Sequence, residues 1–180
     1  MRLFVSVDLP EAFADPIAAI QDELSSASGL KLTDPAQAHV TLQFLGEVDA
    51  SRVDDVVGAL ERAVEAAALD PFDVRFGGLG VFPSREYISV VWVGVERGES
   101  SLAVLQEAVE NRLAPLGFEG DDHEFTPHVT VGRMKHGGGK GHVQSIVDER
   151  SPTIGTMTVE ELSLTESVLT AGGLGTERTR

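Results

Sequence analysis

His39-Val40-Thr41 returns as His128-Val129-Thr130, 89 positions later in a chain of 180 residues. Each unit sets an imidazole two residues from a hydroxyl, and in a β-strand a spacing of two puts both side chains on one face. Two such strands would offer an acid/base pair astride a phosphate. One imidazole would take a proton from the attacking oxygen and the other would give one to the leaving oxygen. The threonine hydroxyls would donate to the non-bridging oxygens as charge gathers there. None of these steps calls for a metal or cofactor. Two tripeptides of common residues can also recur by chance, so the pattern needs support from the elements around it.

Those elements are readable. The runs 39–45 and 128–131 have the alternating, β-branched composition of half-buried strands, with Val40 and Leu42 directed to a core. Leu3 to Val7 predicts a strand. Phe13, Ile17, Ile20 and Leu24, spaced at helical intervals after Pro10, predict a helix that stops near Gly29. Ser51 to Leu69 predicts a second helix, with Ser51 and Asp54 as a capping box, and Ser100 to Leu113 a third, closed near Gly117. Pro71 opens a strand through Phe76, the Gly77-Gly78-Leu79-Gly80 segment predicts a turn or bulge, and Tyr87 to Val95 is a further strand. Shifting the first half by 89 residues lays the first strand near Trp92 to Glu96, the first helix on the third, and the strand near Asp73 on Leu162. The expected fold is α+β: two pseudo-symmetric lobes of antiparallel sheet, helices packed outside, and a central cleft carrying both H-x-T strands. Residues 1–169 form one domain of two approximate repeats, about 1–88 and 89–169, followed by a flexible tail over 170–180.

Composition bounds the rest. A hydrophobic share of 42% fits a folded chain of one substantial core, and no apolar span is long enough for a membrane. With no cysteine, thiolate chemistry and disulfides are excluded, and the expected location is the cytoplasm. The expected state is a monomer. Fourteen Lys and Arg face 29 Asp and Glu, a net charge of −15, and the only lysines are Lys31, Lys135 and Lys140. That balance excludes broad attraction to long nucleic acid, although it allows a nucleic-acid end to enter a locally basic cleft. A carboxylate-rich, lysine-poor surface also suits a salty cytoplasm, where screening suppresses self-repulsion, so the protein is expected to be halophilic.

Other motifs yield less. Lys135-His-Gly-Gly-Gly-Lys-Gly-His142 predicts a mobile or closely packed loop whose cationic side chains would border an anion or simply face solvent. No Ser or Thr follows Lys140, so it is not a phosphate-binding loop, and His136-Gly-Gly-Gly139 has no G-x-S-x-G partner. His123, His136 and His142 match no zinc spacing and read as surface groups; the expected metal set is none.

Longer segments carry a resemblance. Arg2-Leu-Phe-Val-Ser-Val-Asp-Leu-Pro10, His39-Val-Thr-Leu-Gln-Phe-Leu-Gly46, Phe76-Gly-Gly-Leu-Gly-Val-Phe-Pro83 and Phe125-Thr-Pro-His-Val-Thr-Val-Gly-Arg133, in that order, resemble the 2H phosphoesterase superfamily, and within it the RNA 2′,3′-cyclic phosphodiesterases once described as 2′-5′ RNA ligases. The resemblance implies metal-independent hydrolysis of a terminal RNA 2′,3′-cyclic phosphate to a 2′-phosphomonoester. His39 resembles the acid that protonates O3′, and His128 the base that activates water, although pseudo-symmetry allows the roles to be exchanged. Thr41, Thr130 and Arg133 would bind the phosphate; Phe82 and Phe125 could contact the base, Phe44 and Trp92 would face the core, and packing is the more ordinary role for all four. Arg133 lies on the wrong side of a regular strand for this and needs a bend at Gly132. Partners would be RNA or oligonucleotides with cyclic ends, or small nucleotides. Alternatives are a related 2H phosphoesterase acting on a small cyclic or 2′-5′-linked nucleotide, and a non-catalytic RNA-end binding protein. The sequence from Thr170 lacks the apolar strand expected at the end of the family pattern.

Overall fold

A computed structural model describes residues 1–120, 124–170 and 173–178. Nine strands form one sheet: β1 (Arg2–Asp8), β2 (Leu30–Leu32), β3 (His39–Glu47), β4 (Phe72–Pro83), β5 (Ile88–Arg97), β6 (His128–Met134), β7 (Thr153–Val159), β8 (Ser163–Thr170) and β9 (Gly173–Arg178). Among the described residues four helices accompany them: α1 (Ala14–Leu24), α2 (Val53–Ala67), α3 (Glu99–Leu113) and α4 (Lys140–Glu149). All pairings are antiparallel, in the order β7-β4-β5-β6-β3-β1-β8-β9, with β2 alongside β6. The fold is therefore α+β, as expected.

The order reads as a palindrome about the β6–β3 junction. On one side β6 is followed by β5, β4 and β7; on the other β3 is followed by β1, β8 and β9. The lobes are not the two halves of the sequence, because β4 of the first half joins β5 and β8 of the second half joins β1. This exchange ties the repeats into one sheet. Helix α1 packs beside α4 and α2 beside α3, so each lobe has a helix pair covering its apolar face.

The predicted helical stripes are buried: Phe13, Ile17, Ile20 and Leu24 around α1, and Leu102, Leu105, Val109 and Leu113 on α3. Several local expectations are corrected. Residues 50–52 form a tight 3₁₀ turn, so Arg52 and not Ser51 immediately precedes α2, and no side-chain cap is made. Asp54 and Asp55 instead place negative charge in the first turn. Gly77 to Gly80 makes a bulge inside a continuous β4, where the register against β5 jumps between Phe76 and Leu79. The Lys135 to His142 segment, exposed from Lys135 to Gly138 and buried at Gly139, opens α4, a helix whose short apolar stripe, Val143 and Ile146, escaped the periodicity reading. A Cβ at Gly139 would stand 2.5 Å from the Ser28 backbone. Finally, 173–178 is not a free tail: it pairs with β8 from Thr165↔Arg178 to Thr170↔Gly173. A hairpin strand is held by main-chain bonds and does not require the apolar side chains that the sequence lacks there. Residues 171, 172, 179 and 180 of that expected tail lie outside the described residues.

Candidate active site

The centre of the site is a row of four valines running across four strands: Val93, Val129, Val40 and Val7, registered in that order and all essentially buried. They point to the core, so their neighbours along each strand point to the opposite face. Continuing the antiparallel register by one residue either side of Val40↔Val129 sets His39 across from Thr130, and Thr41 across from His128. Adding the outer strands gives two cross-strand rows on that face. One runs Trp92, Thr130, His39, Asp8; the other runs Gly94, His128, Thr41, Ser6. The sheet thus brings together both histidines and both threonines, all half-buried.

Each imidazole is anchored in the same way. His39 Nδ1 bonds the carbonyl of Gln37 at 2.8 Å, and His128 Nδ1 bonds the carbonyl of Thr126 at 2.8 Å. With Nδ1 donating to a carbonyl, Nε2 is the nitrogen left for a ligand. Ala38 and Pro127, immediately before each histidine, keep the approach to each strand extended.

Both strands then carry a bulge at the same place. Leu42 and Gln43 together oppose Val5, while Val131 and Gly132 together oppose Val91. The extra residue reverses the alternation, so Phe44 and Arg133, five residues beyond their histidines, emerge on the histidine face. Burial runs in the same sequence through 39–45 and 128–134, a signature of the repeated backbone. This is the bend that Arg133 needed. On β6 the Val131 carbonyl accepts from Gln21 Nε2 at 3.1 Å and from the Thr33 N–H at 3.1 Å. Gln21 is buried and also donates to the Thr33 carbonyl at 2.8 Å, fastening β2 to β6.

The surroundings of the two histidines differ. His128 lies against Phe82, edge to face at 4.8 Å, and near Trp92 at 5.9 Å between ring centres. Trp92 packs on Phe82 and over Gly80, where any Cβ would come within 2.2 Å of the indole. Burial holds the His128 pKa below its ordinary 6.5, against the bond to Thr126, which favours the cation; the positive charges of Arg133 and His39 depress it further. His39 instead stacks on Phe4, with ring centres 4.9 Å apart. Asp8, its cross-strand partner, accepts from the Ser6 hydroxyl at 3.0 Å and the Ser163 hydroxyl at 2.9 Å.

Some sequence expectations fail here. Phe44 is 69% exposed, tilted against Phe4, and not in the core; its bulge turned it outward. Trp92 is half-buried beside His128 on the site face. Phe82 faces the site, but Phe125 packs against the hydrophobic core. Three of the four loop side chains are engaged elsewhere: Lys140 Nζ donates to the Glu86 carbonyl, His142 bonds the Glu23 carbonyl, and His136 Nδ1 accepts from the Gly138 N–H, while Lys135 is exposed. His123 lies outside the described residues. Ser6, Asp8 and Phe4 were missed because nothing in one strand announces its cross-strand partners.

Comparison with known proteins agrees with this architecture. The model of the 2′-5′ RNA ligase superfamily matches residues 9–169. The RNA 2′,3′-cyclic phosphodiesterase of Archaeoglobus fulgidus is 37% identical over 96% of this chain and 94% of its own, and that of Methanothermobacter thermautotrophicus is 36% identical over 96% and 93%. A crystal structure from Thermus thermophilus superposes with a TM-score of 0.80 at 27% identity, covering 100% of this chain and 96% of that one. Escherichia coli LigT complexed with 3′-AMP, at 22% identity and a TM-score of 0.80 over 99% and 95%, shares the fold. With paired H-x-T strands at the centre of a palindromic sheet and a family match over most of its length, the chain belongs to the 2′-5′ RNA ligase superfamily, within the 2H phosphoesterases.

Proposed function

We propose that the protein hydrolyses the 2′,3′-cyclic phosphate at the end of an RNA or oligonucleotide to a 2′-phosphomonoester, using its two histidines as acid and base without a metal. One observation carries the reading: two identically anchored imidazoles share one face of adjacent strands, one stacked on Phe4 and the other set against both Phe82 and Trp92. The names of the archaeal relatives support the substrate.

The asymmetry supports a division of roles. His128, held neutral by its surroundings, is the base: Nε2 takes a proton from water as the water oxygen bonds to phosphorus. The P–O3′ bond breaks, and His39 Nε2 delivers its proton to O3′. The product keeps phosphate on O2′ and a free 3′-hydroxyl. Thr41 and Thr130 donate to the non-bridging oxygens, and Arg133 neutralises their charge through its planar fork. The exposed ring of Phe44, backed by Phe4, and the edge of Phe82 supply apolar surface for the terminal nucleoside, which is read by shape and stacking and not by base edges.

Incubating chelator-treated protein with a short oligonucleotide ending in 2′,3′-cyclic phosphate tests the proposal. A 2′-phosphate product is expected. Binding without turnover would point to an RNA-end binding protein, and turnover confined to small 2′-5′-linked compounds to a related phosphoesterase.

A further inference from the structure

Beyond Thr130 the site face continues onto a second cation. Lys31, the middle residue of β2, is registered directly opposite Arg133 of β6. Its neighbours Leu30 and Leu32 pack against the core, so Lys31 is on the other face, with Arg133. Both are exposed.

Among the described residues cations stand directly across strands at two places, Arg75 opposite Arg97 and Lys31 opposite Arg133. Like charges directly across a sheet repel. Carboxylates are abundant, and Arg75, Arg85 and Arg150 are paired with Glu96, Asp148 and Glu23. Yet neither Lys31 nor Arg133 has a carboxylate partner among the described residues. The pair is also built rigidly. Thr33, next to β2, donates its N–H to the Val131 carbonyl and its hydroxyl to the Thr130 carbonyl at 3.1 Å, and Gln21 clamps Thr33 from below. An unpartnered dication fixed to the strand that carries Thr130 is a place for an anion other than a protein carboxylate.

We propose that Lys31, beside Arg133, binds the phosphodiester on the 5′ side of the terminal nucleoside, so that the preferred substrate is an oligonucleotide end and not a free cyclic mononucleotide. The proposal rests on the cyclic-phosphate reading above and extends it by one phosphate. β2 borders β6 just past the point where β3 leaves it, so a chain whose terminal phosphate sits between His39 and His128 runs past Thr130 onto Arg133 and Lys31. A single local patch of this kind reconciles a net charge of −15 with a polyanionic substrate.

Turnover of adenosine 2′,3′-cyclic phosphate, of the dinucleotide ending in that group, and of the same dinucleotide with an uncharged methylphosphonate linkage tests it. The wild type should favour the charged dinucleotide. Lys31→Gln should cost about fivefold in kcat/KM on that substrate alone, the upper range for one exposed charge contact. Its salt dependence should weaken by a slope of about one. Equal losses on all three substrates, or no loss on the charged dinucleotide, would overturn the proposal. Calorimetric titration of the dinucleotide bearing a 2′-phosphate separates the two readings. Weaker binding to Lys31→Gln by a protein with no cyclic-phosphate turnover would remove the activity and keep the phosphate site. Unchanged binding in an active protein would do the reverse.

Discussion

The strand around His39 and the strand around His128 share a backbone and differ in company. Both hold an imidazole through Nδ1 to the carbonyl two residues earlier, both set a threonine beside the other strand's histidine, and both bulge before the next outward residue. Around that common frame, β1 supplies Asp8 and Ser6 to the His39 side, whereas β5 supplies Gly94 and Trp92 to the His128 side. After the bulge one strand presents Phe44 and the other Arg133. Duplication therefore yields two equivalently anchored imidazoles, and the flanking strands make their surroundings unequal. Burial against aromatic rings favours the neutral imidazole at His128. The difference between the two imidazoles is written in β5 and β1, not in the H-x-T units.

The sharpest attempt to break this contrast is at the histidines themselves. His39→Ala and His128→Ala should each lower turnover of a cyclic-phosphate end by about 10²–10⁴-fold. A diester with a nitrophenolate leaving group, which needs no acid, should rescue His39→Ala and not His128→Ala. Rescue of the other variant would reverse the roles.

The threonines come next, and here the two sides should behave alike. Thr41→Val and Thr130→Val should each cost about 10²–10³-fold in kcat if both act as oxyanion donors. A loss confined to one would show that the phosphate is held from one side.

The aromatic wall is tested through pH. His128 must be neutral to act as base, so kcat/KM should fall as pH drops through its depressed pKa, below the ordinary 6.5. Phe82→Ala admits water beside the ring, so this acid limb should move up towards 6.5; an unmoved limb would mean that the wall does not set the pKa. For stability the sign is the same. The folded state resists protonating His128 more than the unfolded chain does, so its contribution is complete above 6.5 and declines as pH falls through the folded pKa.

The bulge residues give smaller effects of opposite kind. Arg133→Lys keeps the charge but loses the fork, and should raise KM for the cyclic end with little change in fold. Phe44→Ala should raise KM by a smaller factor, through lost stacking, without altering the pH profile. The smallest expected effect is on the whole surface: the melting temperature should rise with salt if the carboxylates repel one another, and a fall at high salt would sink the halophilic expectation.

No helix among the described residues is long and apolar enough to cross a membrane. Strands β1, β3, β4, β5 and β6, three of the four helices and the twin histidines are readable because their periodicities are local properties of the chain, whereas the short β2, β7 and the polar β9 are not. Helix α4 was not, since its apolar stripe is only Val143 and Ile146, behind a glycine run that reads as a loop. Phe44 and Trp92 were assigned to the core because a large apolar side chain in a strand usually belongs there, and the sequence carries no mark of a bulge or of a glycine bed across the sheet.

By itself the sequence determined that two H-x-T strands exist, that each turns its histidine and threonine to one face, and that the chain carries far more carboxylates than cations. Tertiary structure decided which groups those faces meet. Only the β3–β6 junction opposes each histidine to the other strand's threonine, only the flanking strands β4, β5 and β1 surround one imidazole with Phe82 and Trp92 and set Asp8 across from the other, and only the bulges turn Phe44 and Arg133 to the histidine face. The physical reason is that alternation is fixed within a strand, whereas register and bulges arise between strands, from hydrogen bonds to residues distant in sequence such as Gln21 and Thr33.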